Sequence, residues 1–581
     1  PPGRPGDARA RHHRDHGDLY PCRQGIFKGS ASQFPSTVQA KAVKSVPPQS
    51  LIQIHYHDRF GGVNKVIGLY ARAFESIAGK GRRANFVICN KGKTPGVSFY
   101  PARTMHVPFC GYHAFTAKAE CAAVAKILIE AIEKALSPVA LPRPAWVVGH
   151  NLTLGKNSAL SSAFAQCARK HDALKDGVYF FSIIHDLAEE GRVDCIAQMD
   201  ALRKKGLHVW EDCYPCLDTF RYLSPNSRTV VLLQKTGLSA RLLVNPVEVS
   251  ETDRLPASLK QTNKTRNTLA RIASKQGIDW NKNAPILLYP CRCVSRKNVI
   301  EAMLLSRYVL KNNLLLGAAG ASPRDRVFYK EIKMFCLHRR MPVLFDSGRM
   351  ISAQKALRGF PAEICGAAHA CITTSIAEGF GYALYEPWLY NKAVFGRKPL
   401  GFEPHGKVAF QKLYDRLPIP AAWISVPALC DKYFIAMRQC FGALNGEAIV
   451  ASRRRFGRAF IDYFIISGTI DFGCLDVRAQ LAVCEALRQS PKKMDEWEKL
   501  CGKELNAIRG VFENSVNNSD ALIMSNRKRI EKGLSMERFS RAFGRSFSDK
   551  STARHAEGVH IKILREFRSF SKFRLLMTPE E

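Results

Sequence analysis

The sequence predicts an α/β protein of two Rossmann-like domains that face a central cleft, followed by a helical C-terminal extension. Short apolar segments alternate with amphipathic ones over residues 50–247 and again over 284–480. This alternation favours parallel sheets with helices on both faces. The basic stretch 248–283 has no convincing apolar period before its last residues and is predicted to be the linker. Residues 481–581 form the predicted extension, and 1–49 are predicted to be a disordered basic tail.

The first domain is predicted to begin with the strand LIQIHY at 51–56. Gly61-Gly62 then begins a helix that runs to about Ile77. Later strands, identified by branched and aromatic residues, are predicted at 85–90, 146–150, 179–186 and 241–246. Helices between them are predicted at 117–135 and 156–170.

The second domain repeats this strand–helix order. Its strands are predicted at 286–290, 313–318, 342–345 and 370–374. Its helices are predicted near 297–310, 324–338 and 382–391.

The unusual residues of the chain lie at the carboxyl ends of the predicted strands or directly after them. In the first domain these are His55-Tyr56-His57, Gly61-Gly62, His150-Asn151 and His185-Asp186. In the second domain they are the segment 292–297 and Glu378. Ligands of open α/β sheets bind outside the carboxyl ends of the strands, so these residues predict one cleft between two sheets.

The segment Thr373–Arg397 contains two acids, Glu378 and Glu386, separated by a glycine-rich turn and the start of a helix. Backbone N–H groups at such a turn favour an anion. Glu386 lies about two helical turns further on, on roughly the same side. One acid for sugar hydroxyls, one for a ribose and free amides for phosphate predict a nucleotide-sugar site.

The composition is that of a large globular protein, with 46% hydrophobic residues. No run of 18 apolar residues is present, so no membrane span is expected, and no secretory signal is visible. The 18 cysteines have no framework spacing, which indicates reduced, mostly buried thiols. These features predict a cytoplasmic protein.

The net charge of +37 is spread along the chain rather than held in one arm. Such an excess attracts nucleic acid, anionic membranes or phosphorylated substrates. The sequence shows no helix-turn-helix, RNA-binding aromatic pair or zinc finger. No specific nucleic-acid partner is therefore expected.

Four motifs occur in order, namely HYHDRFGGVNKVI (55–67), SIIHDLAEEGR (182–192), YPCRCVSRKNVIEA (289–302) and SIAEGFGYALYEP (375–387). Together they resemble the retaining glycosyltransferases of the GT-B fold, and the resemblance covers about residues 50–480. It implies transfer of a sugar from a nucleotide-sugar donor to an acceptor hydroxyl, in glycan, glycolipid or small glycoside synthesis. The sugar, the base and the acceptor stay open.

The resemblance implies roles for the residues that bind the donor diphosphate. Arg292 and Lys297 would hold it and stabilise the charge that develops as the nucleotide leaves. Arg296 lies between them and is a substitute. Gly61 and Gly62 would let backbone amides approach the phosphates closely.

The fourth motif is implied to bind the two sugars of the donor. Glu378 would bind hydroxyls of the transferred sugar, and Glu386 those of the ribose. Gly379, Phe380 and Gly381 would complete the donor site at the turn.

The second motif is implied to face the donor sugar from the other domain. His185 would lie under the sugar and contact its primary hydroxyl, and it joins Glu378, Arg292 and Lys297 as a predicted catalytic residue. Asn151, Asp186 and Arg192 are further candidates for acceptor binding or orientation.

A retaining transfer of this kind depends on charge stabilisation and positioning more than on a strong protein base. The chain lacks the Asp-x-Asp that usually binds a divalent metal in the other major glycosyltransferase fold. No metal and no cofactor are expected, since the nucleotide sugar is a substrate. Two alternatives stay open: a phosphorylase or epimerase of this fold, and a basic nucleic-acid or membrane-surface binding protein on a degenerate enzyme fold.

The segment IKILREFRSFSKFRLLM (561–577) places apolar residues at helical spacing with basic residues between them. A basic amphipathic helix of this kind can lie on an anionic membrane, which predicts a peripheral contact with the inner face of the membrane. The alternative, which the pattern favours, is a terminal helix that packs on a domain.

Overall fold

The structure is a computed structural model that describes most of the chain. It covers residues 48–59, 61–78, 83–92, 99–139, 141–249, 258–320, 322–348, 362–444, 452–548 and 556–578. The predicted disordered tail therefore lies outside the described residues, except for its last two positions. Residues 45–581 belong to one unit by their mutual contacts.

The first α/β domain is built on a seven-stranded parallel sheet. Its strands are β1 Ser50–His57, β2 Ala84–Asn90, β3 Arg103–His106, β4 Ala145–His150, β5 Val178–Ile183, β6 Phe220–Ser224 and β7 Ala240–Leu242. They are ordered β3-β2-β1-β4-β5-β6-β7. Its helices are α1 Gly62–Ile77, α2 Lys118–Leu136, α3 Ser158–Leu174, α4 Val193–Lys204, α5 Val209–Cys213 and α6 Ser227–Lys235.

The second α/β domain has a six-stranded parallel sheet. Its strands are β8 Ile286–Tyr289, β9 Asn313–Leu316, β10 Val343–Leu344, β11 Ala370–Thr373, β12 Val394–Arg397 and β13 Leu413–Tyr414, in the order β10-β9-β8-β11-β12-β13. Its helices are α7 Leu259–Lys275, α8 Val299–Leu304, α9 Pro323–His338, α10 Ala362–Ala367 and α11 Tyr382–Leu389.

The two sheets have the same strand order, which reverses direction between the first and fourth strand of each. Ligands of such sheets bind at this reversal, outside the carboxyl ends of the strands. The reversal lies between β1 and β4 in the first sheet and between β8 and β11 in the second. The predicted two-domain α/β fold is confirmed. The strand order also shows where a ligand is expected to bind in each sheet.

The predicted helical extension is confirmed as well. Beyond the second sheet come α12 Val426–Phe441, α13 Arg453–Phe464, the short pair β14 Pro418–Pro420 and β15 Thr469–Asp471, and α14 Val477–Gln489, α15 Pro491–Asn517, α16 Asp520–Gly533, α17 Met536–Ser548 and α18 Val559–Phe567. Helix α17 returns to the first sheet, where Phe539, Phe543 and Phe547 pack against Trp146 and Tyr70. The chain therefore joins the two domains a second time.

The expectation of an unpatterned linker is wrong over α7, which lies inside 248–283. Leu269 and Ala273 of this helix are fully buried and join the core of the second sheet with Ile364. The first half of the helix is rich in lysine, threonine and asparagine, which conceals the short apolar stripe in the sequence. The domain boundaries themselves stay predictions.

Several strands escaped prediction because they are short or poorly buried. Strand β3 is an edge strand with exposed Arg103, Thr104 and His106, so its apolar signal is weak. The fully buried β6 and β12 have only five and four residues. Arg221 in β6 and Arg397 in β12 also interrupt the apolar runs, whereas β8 is equally short but continuously apolar and was predicted.

The predicted membrane contact through 561–577 is contradicted by burial. Ile563, Leu564, Phe567 and Phe570 are at most 6% exposed and lie in the protein core. An apolar face that packs inside the protein is not free to enter a membrane. Among the described residues, no helix is long and apolar enough to cross a bilayer.

Candidate active site

The turn after β11 and the loop after β8 meet at the reversal point of the second sheet. Ile376 donates its backbone N–H to the Arg296 carbonyl at 3.0 Å, and Arg296 Nη1 donates to the Ala377 carbonyl at 3.2 Å. The Thr374 hydroxyl donates to the Asn298 carbonyl at 2.8 Å. These bonds hold the predicted diphosphate loop against the predicted sugar-binding turn.

Lys297 and Glu378 form an ion pair between Nζ and Oε1 within this site. The two side chains are only 12% and 7% exposed. In a buried pair of this kind, each group offsets part of the desolvation cost of the other. The predicted cation and the predicted sugar-binding acid are therefore direct neighbours.

Glu386 is paired across the domains with Lys65, which lies in the first turn of α1. The Lys65 amine also donates to the Glu248 carbonyl at 3.1 Å and stands 4.8 Å from the centre of the Tyr382 ring. Both Lys65 and Glu386 are a little over a quarter exposed. Lys65 lies three residues after Gly62, so the predicted ribose acid faces the glycine loop of the other domain.

The two domains also meet closely at Gly379 and His185. A Cβ added to Gly379 would lie 2.7 Å from the His185 carbonyl oxygen and 3.5 Å from Asp186 Oδ1. Side chains larger than hydrogen do not fit against backbone at that distance. The structure thus brings the fourth and second motifs into contact.

The histidines at the strand ends of the first sheet form one buried cluster. The rings of His150 and His185 are parallel with centres 6.2 Å apart, and His55 lies 5.3 Å from His57. Burial lowers the pKa of His185 to about 4, although the Asp186 charge opposes this. Burial likewise lowers the pKa of His55 to about 3. These imidazoles are neutral at physiological pH.

His185 Nε2 and His57 Nε2 are buried and have no hydrogen-bond partner among the described residues. A buried polar atom without a partner is costly. The backbone of His185 also lies against Gly379 of the second domain.

Asn151 fixes the loop that carries His185. Its Oδ1 accepts the His185 backbone N–H at 2.7 Å and that of Asp186 at 3.4 Å. Asn151 has a φ of 57°, a left-handed conformation that asparagine tolerates well. The structure therefore places Asn151 as a support of the loop.

Asp186 and Arg192 are ion-paired at 3.1 Å. Burial alone would raise the pKa of Asp186, but the charges of Arg192 and Arg296 lower it to about 2. Asp186 is thus a stable carboxylate that receives cationic stabilisation from both domains.

Arg292 is exposed between the buried Cys291 and Cys293. It has no ion-pair partner within the described ranges. Burial is the main reason that the pKa of His57 falls to about 4, and the charges of Arg59 and Arg292 add to it. The Arg292 charge therefore acts on His57, at the end of β1 in the other domain.

The two predicted glycine positions differ in their surroundings. At Gly61 and Gly62, a Cβ would meet no described atom within 4 Å, so space for a ligand lies beside both. Gly381 has a φ of 82° and begins α11, a backbone conformation that favours glycine. The Phe380 side chain stacks on Tyr385, 5.0 Å between ring centres, and is buried, so its backbone alone faces the turn.

A cavity lies beside these residues, between the two domains and the C-terminal segment. Its lining is Asp186, Glu190, Arg192, Asn226, Arg228, Arg296, Ala377, Glu378, Leu400, Gly401, Phe567, Ser571, Lys572 and Met577. Within the described parts of the chain, no group of three His, Cys, Asp or Glu side chains is arranged to hold a metal ion.

The sequence has a curated relative that makes a glycosylated product. Over 394 residues it is 24% identical to mannosylglucosyl-3-phosphoglycerate synthase of Petrotoga mobilis, covering 67% of this chain and 69% of the relative. The chain resembles the GT-B glycosyltransferases. The resemblance predicted from the four motifs is thereby confirmed. No protein-family model matches the sequence.

Solved structures with a similar arrangement include several at low sequence identity. A glycosyltransferase from Rickettsia africae is 12% identical, with a TM-score of 0.40 over 76% of this chain and 98% of that one. An α,α-trehalose 6-phosphate synthase from Burkholderia multivorans is 10% identical, with a TM-score of 0.43 over 86% and 96%. The N-terminal domain of a Candida albicans trehalose-6-phosphate phosphatase is 8% identical, with a TM-score of 0.46 over 88% and 99%.

Sequence reasoning about this GT-B-like chain missed four charged residues at the site. They are Lys65, Glu190, Arg228 and Lys572. Lys65, Arg228 and Lys572 lie on a helix or turn where a charged side chain normally faces water, so no local pattern marks them. A signal was present for Glu190, which lies within the second motif.

Proposed function

We propose that this protein is a retaining glycosyltransferase that moves a sugar from a nucleotide-sugar donor to an acceptor hydroxyl without a metal or cofactor. Arg292 and Lys297 bind the donor diphosphate, Glu378 binds the transferred sugar and Glu386 binds the ribose. Gly61 and Gly62 admit the phosphates at the start of α1. The cytoplasmic location predicted from the sequence is part of this proposal.

The proposal is carried by one observation, the contact of Gly379 with the His185 carbonyl. This contact places Gly379, the residue after Glu378, against the loop that follows β5 of the first sheet. Both reversal points of the two sheets therefore border one cleft, where ligands of such sheets bind.

When the donor binds, contacts with the donor replace part of the existing ion pairs. The Lys297 amine leaves part of its contact with Glu378 to bind phosphate, and Glu378 then accepts sugar hydroxyls. Lys65 makes the same exchange at Glu386. Because these side chains are already positioned, little reorganisation is needed at the moment of reaction.

The leaving diphosphate is stabilised by Arg292 and Lys297 as its negative charge develops. His185 is neutral, since burial lowers its pKa to about 4, so it donates a hydrogen bond to the sugar without adding positive charge. The acceptor proton passes to the leaving phosphate oxygen. No strong protein base is required.

The relative from Petrotoga mobilis is named for a product built on 3-phosphoglycerate. This name supports a small acceptor for the present chain, and it does not specify the donor.

A donor screen tests the proposal. Purified protein is mixed with UDP-, GDP- and ADP-sugars, and release of the nucleoside diphosphate is measured with and without candidate acceptors. We expect one donor to turn over, and ¹H NMR of the product to show the anomeric configuration of the donor. An inverted product contradicts retention, and no turnover with any donor contradicts the proposed transfer.

A further inference from the structure

We propose that the cavity between Arg228 and Lys572 is the acceptor subsite and that it takes an acceptor with a carboxylate or phosphate group. The C-terminal segment, residues 567–577, is its outer wall. This inference rests on the proposed function and names the acceptor class and the residues that select it.

Three parts of the chain that are far apart in sequence line the cavity. The first domain contributes Arg192 and Arg228, and the second contributes Arg296 beside Glu378. The C-terminal segment contributes Phe567 and Lys572, with Ser571 and Met577. Four cationic side chains thus face one cavity that also borders the predicted sugar-binding acid.

Arg228 is the best placed of these cations for an anion. Its Nη2 is buried and has no hydrogen-bond partner within the described ranges. Its guanidinium lies 5.2 Å from the centre of the Phe567 ring, which fixes the plane of the group. A guanidinium with a free donor edge matches a carboxylate or phosphate in geometry and charge.

Arg192 repeats this pattern on the same wall. Its Nε is also buried without a partner among the described residues, while its Nη2 pairs with Asp186. An unpaired N–H in a buried guanidinium costs free energy unless a ligand accepts from it. Two guanidinium groups that line one cavity thus each carry a buried N–H without a partner among the described residues.

The acidic side chains of the cavity are suited to bind the hydroxyl end of such an acceptor. Asp186 lies against Gly379, next to the position of the donor sugar. Glu190 is near it, and its pKa is raised to about 7, mainly by burial and then by the Asp186 charge. These carboxyl groups accept hydrogen bonds from hydroxyls, as the attacking end of an acceptor requires.

The C-terminal wall is held by both domains. The Phe573 ring lies against Gly191, 3.4 Å from the position of a Cβ there, and Ser295 Oγ donates to the Leu576 carbonyl at 3.1 Å. Gly191 precedes Arg192, and Ser295 precedes Arg296. The wall therefore contacts both loops that bring cations to the cavity.

Lys572 is available to a ligand from this wall. Its amine pairs with Glu566 at 3.3 Å, and the two side chains are 32% and 46% exposed. A pair this exposed contributes little to stability, so the amine can turn to an anion in the cavity at small cost.

The test uses 3-phosphoglycerate as probe and glycerol as its neutral counterpart, with binding measured by isothermal titration calorimetry on the full chain. We expect 3-phosphoglycerate to bind and glycerol not to bind. Arg228→Gln is expected to weaken probe binding roughly ten-fold and Lys572→Met roughly three-fold. Lys562→Met removes the same charge from an exposed position of α18 and should change nothing.

Binding of the donor nucleotide is measured on the same variants and should be unchanged. Equal probe binding by wild type, Arg228→Gln and Lys572→Met would overturn the assignment, as would equal binding of glycerol. If no nucleotide binds but binding of the probe still depends on Arg228 and Lys572, the result contradicts both the acceptor role and the proposed transfer. Lys572→Met changes a half-exposed side chain, so its result stands even if Arg228→Gln does not fold.

Discussion

At the scale of single residues, the site is organised by pairs of opposite charge that reach between elements. In two pairs, a lysine lies next to an acid that is proposed to bind a sugar: Lys297 with Glu378, and Lys65 with Glu386. Arg192 does the same for Asp186. Each acid is therefore held in position by its cation.

Glu190 predicts a distinctive dependence of stability on pH. Burial and the Asp186 charge raise its folded-state pKa to about 7 from an ordinary value of 4.5. The folded state then binds more protons than the unfolded state between these values, so the stabilising contribution is full below pH 4.5 and is lost as pH rises through 7.

Glu190→Gln removes this contribution. The expected result is that the Tm of the variant rises relative to wild type between pH 5 and pH 8, measured by differential scanning calorimetry. Glu363→Gln, at an exposed position of α10, is the control and should leave the profile unchanged. A constant difference between Glu190→Gln and wild type at all pH values would contradict the raised pKa.

Gly379→Ala tests the contact between the two domains. The new Cβ would meet the His185 carbonyl at 2.7 Å, and a backbone atom cannot move aside without shifting its loop. We expect a loss of about 1–3 kcal/mol in the free energy of unfolding together with a lower kcat.

Gly510→Ala in α15 is the matched control for this change. A Cβ at Gly510 meets no described atom within 4 Å, and alanine in a helix interior stabilises by about 0.5–1 kcal/mol. Similar stability and kcat for both variants would show that Gly379 does not lie in a tight contact.

Much of the site was predictable because its residues follow strands within short motifs. Arg292, Lys297, Glu378 and Glu386 were found in this way, although their roles stay proposals. Lys65 was not found, because a lysine in the first turn of an amphipathic helix normally faces water. Its partner lies 321 residues away, and nothing local in the sequence records such a contact.

At the scale of elements, helix α17 connects the C-terminal extension to the first sheet. Phe543 is fully buried and contacts Tyr70, Trp146 and Phe547. The Arg221 guanidinium donates to the Phe547 carbonyl at 3.1 Å. This packing was not predicted, since periodicity gives a helix but not the surface that it covers.

Phe543→Ala should remove much of that connection. The loss of a buried phenylalanine costs about 3–5 kcal/mol, measured by denaturant unfolding at constant m. Met524→Ala in α16, where the methionine is 59% exposed, should stay within about 0.5 kcal/mol of wild type. Equal stability of the two variants would contradict the docking of α17.

The elements that sequence reasoning missed share a physical cause. Helix α7 has a polar surface with only a narrow buried stripe, so its sequence resembles that of a linker. Strands β6 and β12 are short, and Arg221 and Arg397 interrupt their apolar runs. The apolar face of α18 was found, but its partner was undetermined until the structure placed it in the core.

At the scale of the whole molecule, two parallel sheets with the same strand order place their reversal points at one cleft, and the C-terminal segment closes its side. The net charge of +37 surrounds a site proposed to bind a nucleoside diphosphate. Such a field raises the rate of encounter with anions and is screened by salt.

The most direct test of the account is calorimetric titration of wild type and Glu386→Ala with the donor found in the screen. The account predicts saturable binding by wild type and roughly ten-fold or greater weakening in the variant, because charge-assisted hydrogen bonds to the ribose are lost. Glu363→Ala, which removes an exposed acid of the same domain, should bind like wild type. Unchanged affinity in Glu386→Ala would contradict the assignment of this cleft as the nucleotide-sugar site.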